Sequence, residues 1–173
     1  MSRLVWHYTF DQSFSAILKD GFIRPADGLI GPNERPITWF SREQYWEPTV
    51  YKGVLKADGT PVLLNMTGLL DYGVQLFRIG VDSSDAPHRW SDLKALSGMP
   101  SQVASGLART ARQVGANPSR WHGTFETVPV QRWKAVEYFN PGADSWASFY
   151  PGATDLAEEC VKSAVSLRLK DAA

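Results

Sequence analysis

The sequence is poor in cysteine, in excess charge and in long apolar runs. Cys160 is the one cysteine among 173 residues, so neither an intramolecular disulfide nor a cysteine-based metal site can form. Lysine plus arginine equals aspartate plus glutamate at 18 each, which argues against binding of nucleic acid or membranes through bulk charge. Apolar stretches are only a few residues long, far short of a bilayer span or a signal peptide. We therefore expect a soluble, cytoplasmic protein.

Internal repeats, low-complexity tracts and metal-ligand spacing are also lacking. The length and an apolar content of 43% suit one domain over residues 1–173 with a sizeable core. The three histidines, His7, His88 and His122, do not have the spacing of a metal site, and we expect no metal.

Tryptophan is the residue present in excess. Seven tryptophans occur where roughly two would be expected. An indole ring is both a large core group and a platform for flat ligands. Trp6, Trp39 and Trp46 lie in or beside two N-terminal aromatic clusters, where we expect them to line a ring-binding site. Trp90 and Trp146 are expected to serve packing.

Local patterns predict an α+β domain with about six short strands and three or four helices. Asp11 as a cap and Gly21 as a stop bracket a first helix. Proline and glycine predict a loop over residues 140–152. Strands are predicted from β-branched and aromatic runs: residues 4–8, 37–41, 61–65, 74–81, 121–125 and 133–139.

Two later helices have amphipathic patterns. A helix over residues 101–115 is predicted to face the core with Val103, Leu107, Ala111 and Val114. A C-terminal helix at about residues 154–170 is predicted to pack on the same domain. Its apolar stripe consists of Leu156, Cys160, Ala164 and Leu167.

The first two chemical clusters are aromatic. Trp6-His7-Tyr8-Thr9 ends the first predicted strand, and its histidine is either a core residue bonded to the backbone or a group that bonds a ligand. The second cluster, residues 34–41 and 45–49, is either a buried strand with an aromatic turn or a wall that stacks on a flat ring. In the latter case Ser41 would fix the orientation of the ring.

The third cluster carries two carboxylates in apolar, strand-like runs. Glu126 and Glu137 lie within residues 121–139. A carboxylate in such a run is costly unless it is paired or used, or lies on the exposed side of an edge strand. The apolar neighbours of Glu126 favour a strand end that faces a cleft.

Together the three clusters resemble the ADP-ribosyltransferase superfamily. The matching features are His-Tyr-Thr on a first strand, a helix followed by Gly-Phe-Ile-Arg-Pro, a strand with Trp-Phe-Ser, and a late strand with a glutamate. The nearest branch is the His-Tyr-Glu branch, which includes diphtheria-toxin-like transferases and poly(ADP-ribose) polymerases, with DarT-type toxins more distant. The similarity covers residues 3–50 and 119–139. It implies a split, mixed or antiparallel sheet with flanking helices, and NAD as co-substrate.

The resemblance also implies roles for single residues. His7 would bind a ribose of NAD, and Trp39 would stack on the nicotinamide. Glu126 would stabilise the oxocarbenium ion as nicotinamide leaves, with Glu137 as the fallback carboxylate. His7, Trp39 and one glutamate should therefore converge on one cleft.

Further residues are candidates for holding NAD. Arginine suits the pyrophosphate through bidentate bonding, and Arg24 is preferred to Arg35 and Arg78. The other cofactor-binding candidates are the neighbours of His7 and Trp39 on their strands: Tyr8, Thr9, Phe40 and Ser41.

The predicted function is mono-ADP-ribosylation of a macromolecular acceptor, either protein or nucleic acid. Such an enzyme fits a toxin, a phage-encoded modifier or a defence effector. One alternative is an NAD-dependent RNA 2′-phosphotransferase, a family that relies on several basic side chains, which the matched segments are not expected to supply. Another alternative is a non-catalytic protein that binds a nucleotide or a protein through the aromatic pocket.

Overall fold

The computed structural model describes residues 4–28, 30–55, 59–150 and 155–171, with side chains up to residue 163. These residues form a single α+β fold with a largely antiparallel sheet and five helices. The predicted start of the last helix near residue 154 lies outside the described residues. So do the side chains of Ala164 and Leu167.

The elements follow one another along the chain with short connections. The strands are β1 (Val5–Phe10), β2 (Phe22–Ile23), β3 (Thr38–Ser41), β4 (Lys52–Leu55), β5 (Pro61–Leu64), β6 (Leu76–Val81), β7 (His88–Arg89), β8 (Trp121–Thr124), β9 (Val128–Pro129), β10 (Trp133–Asn140) and β11 (Ser145–Ser148). The helices are α1 (Asp11–Asp20), α2 (Met66–Asp71), α3 (Trp90–Leu96), α4 (Ser101–Gln113) and α5 (Leu156–Asp171).

Seven strands form one sheet in the order β11-β10-β6-β1-β3-β8-β7. Each neighbouring pair is antiparallel. Two ribbons, β2–β9 and β4–β5, lie beside it. The segment predicted as a loop over residues 140–152 contains β11, because its residues pair with the long strand β10 after a tight turn.

The sheet consists of two halves that meet at β1 and β3. β1 is in register with β6 over six residue pairs, but with β3 only at Trp6↔Ser41. Further along, the carbonyl of Trp39 accepts a hydrogen bond from the imidazole of His7 (Nδ1–O 2.9 Å). The side chain of His7 therefore connects the two half-sheets at a point where β1 and β3 are no longer paired through their backbones.

The two sides of the sheet have different cores. Successive side chains of a strand point to opposite faces, so the residues that pair in register with Phe40 share its side. We call this side the His7 face; it carries His7, Phe40 and His122, and α1 and α5 pack on its core. The opposite side, the Trp39 face, carries Trp39 and Ser41 and packs on α3, α4 and the segment around Trp46.

Six of the tryptophans form two clusters on the Trp39 face. Trp39, Trp90 and Trp121 meet with ring centroids 5.1 to 6.2 Å apart. Trp6, Trp46 and Trp146 surround Tyr8 and Arg78. Trp6 and Trp46, which the sequence assigned to a ring-binding wall, are 5% and 8% exposed and belong to the core.

Helix α4 is oriented differently from the prediction. Ala111 is buried as predicted, together with Ala104 and Ala108. The other predicted core residues, Val103, Leu107 and Val114, remain 42 to 45% exposed. The indoles of Trp90 and Trp121 belong to the same cluster as the three alanines. Because these large rings occupy the space beneath the helix, only small side chains fit there.

Candidate functional site

His7 lies at the junction of the two half-sheets. Since the Trp39 carbonyl can only accept, Nδ1 of His7 carries the proton and Nε2 is left as an acceptor. Burial lowers the pKa of His7, although the bond to the carbonyl opposes this shift. The ring also meets Phe40 edge-on, with centroids 5.8 Å apart. At neutral pH His7 is thus an uncharged, oriented acceptor suited to a hydroxyl group.

Glu126 follows the end of β8 and its side chain is exposed. Its backbone is held in place, because Thr38 Oγ1 donates to the Glu126 carbonyl at 2.7 Å. Its amide donates to Thr124 Oγ1 at 3.4 Å. The strand β3 therefore fixes the turn that presents the Glu126 carboxylate.

The Glu126 carboxylate lines a polar cleft of about 450 Å³. Across this cleft Arg132 forms an ion pair with Asp85 (Nη1–Oδ1 2.5 Å). The Asp85 carboxylate, and to a smaller extent that of Glu126, raises the pKa of Arg132. His88 and Thr124 complete the part of the cleft that could bind a polar ligand.

Trp39 lines a different, apolar cleft of about 330 Å³. Trp121, Met99 and Leu107 are among its other lining residues. Arg35 lies at this cleft and stacks on Phe125, 3.9 Å from the ring centroid. The cleft has the dimensions and the aromatic walls of a site for a flat ring.

His7, Trp39 and Glu126 do not share one cleft, so the expected convergence is wrong. Trp39 and Phe40 are consecutive residues of β3, and their rings point to opposite sides of the sheet. His7 is on the side of Phe40. Glu126 lies beyond the end of β8, at a polar cleft that is also lined by Thr124 of the His7 face.

The neighbours of His7 and Trp39 are buried within the fold. Tyr8, Thr9, Phe40 and Ser41 are 2 to 7% exposed. The Tyr8 hydroxyl donates to the carbonyl of Glu43 at 2.7 Å, and Ser41 Oγ donates to Glu47 Oε2 at 2.6 Å. Their roles in binding NAD remain predictions, and each of the two hydroxyls already has a partner within the chain.

The arginines chosen from the sequence also have partners. Arg24 is exposed and forms an ion pair with Asp20 of α1. Arg78 forms an ion pair with Glu137 (Nη2–Oε2 2.5 Å) and lies between the rings of Trp6 and Trp146. Glu137, the fallback carboxylate, is therefore neutralised by Arg78.

Sequence reasoning missed two groups. Glu47 is 4% exposed and accepts hydrogen bonds from Ser41 and from Thr49 (Oγ1–Oε1 2.7 Å). His122 pairs in register with Arg89, and Arg42 follows the neighbouring strand β3. Arg42 and His122 belong to the matched segments, whereas Arg89 lies outside them. No local motif could reveal this set, because three separate segments contribute to it.

The described ranges contain neither a group of side chains that could hold a metal ion nor a helix that could span a membrane. Their His, Cys, Asp and Glu side chains include no group of three that could hold a metal ion. No helix there is long and apolar enough to cross a membrane.

Comparison with known proteins gives no match: no family model, no curated protein and no solved structure is detectably similar to this chain.

Proposed function

We propose that the protein is an NAD-dependent mono-ADP-ribosyltransferase with a fold of the ADP-ribosyltransferase type. One observation carries the proposal. The three segments that hold the sequence resemblance are far apart along the chain, yet β1, β3 and β8 are successive neighbours in the sheet. Neighbouring strands can contribute side chains to one site, which distant strands cannot do. The division of the sheet between β1 and β3 also agrees with the split sheet that the resemblance implies.

The proposed reaction breaks the bond between C1′ of the ribose and the nicotinamide nitrogen. The electron pair of that bond leaves with nicotinamide, and an oxocarbenium-like ribose remains, as in glycoside cleavage. The acceptor nucleophile then bonds to C1′ and loses its proton. A carboxylate next to the developing positive charge lowers this barrier.

His7 and Glu126 have properties that suit these steps. Neutral His7 presents Nε2 as an acceptor for a ribose hydroxyl and so orients the sugar. The Glu126 carboxylate is held on a fixed backbone and faces an open cleft, where both NAD and an acceptor have access. In this proposal Trp39 does not contact the ring beside His7, because it faces the other side of the sheet. The buried single cysteine suits a reducing compartment, and we place the activity in the cytoplasm.

The test is transfer of label from NAD carrying ³²P in its adenylate phosphate. Wild-type protein, Glu126→Gln and Asp27→Asn are incubated with protein, DNA and RNA acceptors. Asp27 is an exposed loop carboxylate and serves as the matched control. Because removing a group that stabilises transition-state charge costs about 10²–10³ in rate, Glu126→Gln should lose transfer by about a hundredfold or more while Asp27→Asn retains it.

Two results would contradict the assignment. If folded Glu137→Gln lost transfer and Glu126→Gln kept it, the carboxylate would be Glu137. If the wild-type protein neither transferred label nor released nicotinamide with any acceptor, the proposed function would be wrong.

The second candidate is a non-catalytic protein that binds a flat ligand. Its support is the position of the Trp39–Trp121 cleft, on the side of the sheet away from His7. In this case NAD or a nucleotide would quench tryptophan fluorescence without turnover. Trp39→Ala would abolish this quenching, whereas Glu126→Gln would leave it unchanged.

A further inference from the structure

His122 is a buried residue with one ring nitrogen that has no partner. It lies on β8, opposite Phe40 of β3, and is 3% exposed. Nδ1 donates to the carbonyl of Ala86 at 3.0 Å, so Nε2 of the neutral ring is an acceptor. Within the described residues no group bonds to this Nε2. Since buried polar atoms are nearly always hydrogen-bonded, an unpaired one suggests a group supplied from outside the chain.

Two arginines flank this ring. Arg89 of β7 is the register partner of His122, which places their Cβ atoms about 5 Å apart on the same face. Arg42 follows β3 and donates its amide to the Arg120 carbonyl at 2.9 Å, so it lies diagonally opposite His122 of β8. Burial lowers the pKa of His122, and the charges of Arg42 and Arg89 add to this effect.

The two arginines lack the carboxylate partner that four other arginines of the fold have. Arg24, Arg78, Arg120 and Arg132 each form an ion pair with a carboxylate. In the described part of the chain no carboxylate pairs with Arg42 or Arg89, and Nε of Arg42 is buried without a hydrogen bond. Two uncompensated cations and an unpaired acceptor therefore lie together on the His7 face. Arg89 is exposed, so the group opens to solvent on that side.

We infer that Arg42, Arg89 and His122 form a binding site for a sugar phosphate. Guanidinium groups bind phosphate oxygens through paired, charge-assisted hydrogen bonds. Nε2 of His122 then accepts a hydrogen bond from a hydroxyl of the adjoining sugar. This arrangement uses all three groups, whereas a phosphate ester dianion without a sugar hydroxyl has no hydrogen to donate to His122. The phosphate can come from NAD, in which case the site extends the proposed function, or from a phosphate monoester on the acceptor.

Calorimetric titration tests the site with two probes, ADP-ribose for the dinucleotide source and ribose 5-phosphate for the monoester source. Arg89→Gln is the test variant because Arg89 is exposed on an edge strand, and Arg24→Gln is its matched control. We expect Arg89→Gln to weaken binding of at least one probe by about tenfold or more, since a hydrogen bond to a charged group is lost. Arg24→Gln should bind like the wild type.

The pattern of results separates this site from the proposed function. Loss of ribose 5-phosphate binding alone would support the site and assign it to the acceptor. Loss of ADP-ribose binding would support the site and assign it to NAD. If neither probe bound the wild type, or if Arg89→Gln bound both as tightly as Arg24→Gln, the site would be refuted. In that case, label transfer from NAD by the Arg89→Gln protein would still support the proposed function.

Discussion

At the scale of single residues, the ion pair between Arg78 and Glu137 decides which charged groups are free for chemistry. The Arg78 side chain is 9% exposed, and its guanidinium lies 3.9 Å from the ring centroid of Trp6. A buried cation in this position depends on its carboxylate partner. Glu137 is thereby committed to stability, which leaves Glu126 as the better candidate for catalysis.

We predict that Glu137→Gln lowers the free energy of unfolding by about 1–3 kcal/mol, because the charge of Arg78 loses its partner. Glu126→Gln should change this free energy by less than about 0.5 kcal/mol, since an exposed side chain is altered. Urea unfolding of both variants measures the difference. Equal destabilisation of the two variants would show that Glu126 is also a structural group.

At the scale of elements, α4 shows how tertiary packing selects a helix face. Of the predicted stripe only Ala111 faces the core, and its buried companions are other alanines. The larger members, Val103, Leu107 and Val114, are exposed. The helix approaches two indole rings closely, and this approach requires small side chains. The exposed Val103 and Leu107 then contribute a wall to the Trp39 cleft.

We expect Ala111→Leu to destabilise the protein by about 1–3 kcal/mol, because a larger side chain overpacks the space beneath the helix. Leu107→Gln should change stability by no more than about 0.5 kcal/mol, as its side chain is 42% exposed. Thermal or urea unfolding provides the measurement. A larger loss in Leu107→Gln than in Ala111→Leu would mean that the valine–leucine stripe is the buried one.

At the scale of the whole molecule, the two neutral histidines of the His7 face make stability depend on pH. Burial lowers the pKa of both His7 and His122 in the folded chain. Between the folded pKa and the unfolded value of about 6.5, the unfolded chain binds more protons. The free energy of unfolding therefore falls as the pH drops through this range.

We predict that the wild type is less stable at pH 5.5 than at pH 7.5, and that His7→Asn shows a smaller difference between the two pH values. The variant lacks one group that takes up a proton on unfolding. Urea unfolding at both pH values gives the two differences. An unchanged pH dependence in His7→Asn would contradict the assignment of a lowered pKa to His7.

Much of the fold could be predicted from local patterns. Gly21 ends α1 as expected, but the predicted cap Asp11 is the first helical residue and Phe10 holds the N-cap position. The aromatic runs at β1, β3 and β8 are strands. Such features depend on capping, backbone preference and side-chain periodicity within a few residues. β11 was missed because its pairing with β10 overrides a composition typical of loops.

The sequence by itself determined the α+β class, the main elements and three segments that hold the candidate chemical groups. Only the tertiary structure decided that β1, β3 and β8 are neighbours, that Trp39 turns away from His7, and that Arg42 and Arg89 flank His122. The physical reason is that helix caps and strand preferences act between residues close in sequence. Strand order and the choice of face depend on pairing between distant segments and on the burial of the whole sheet.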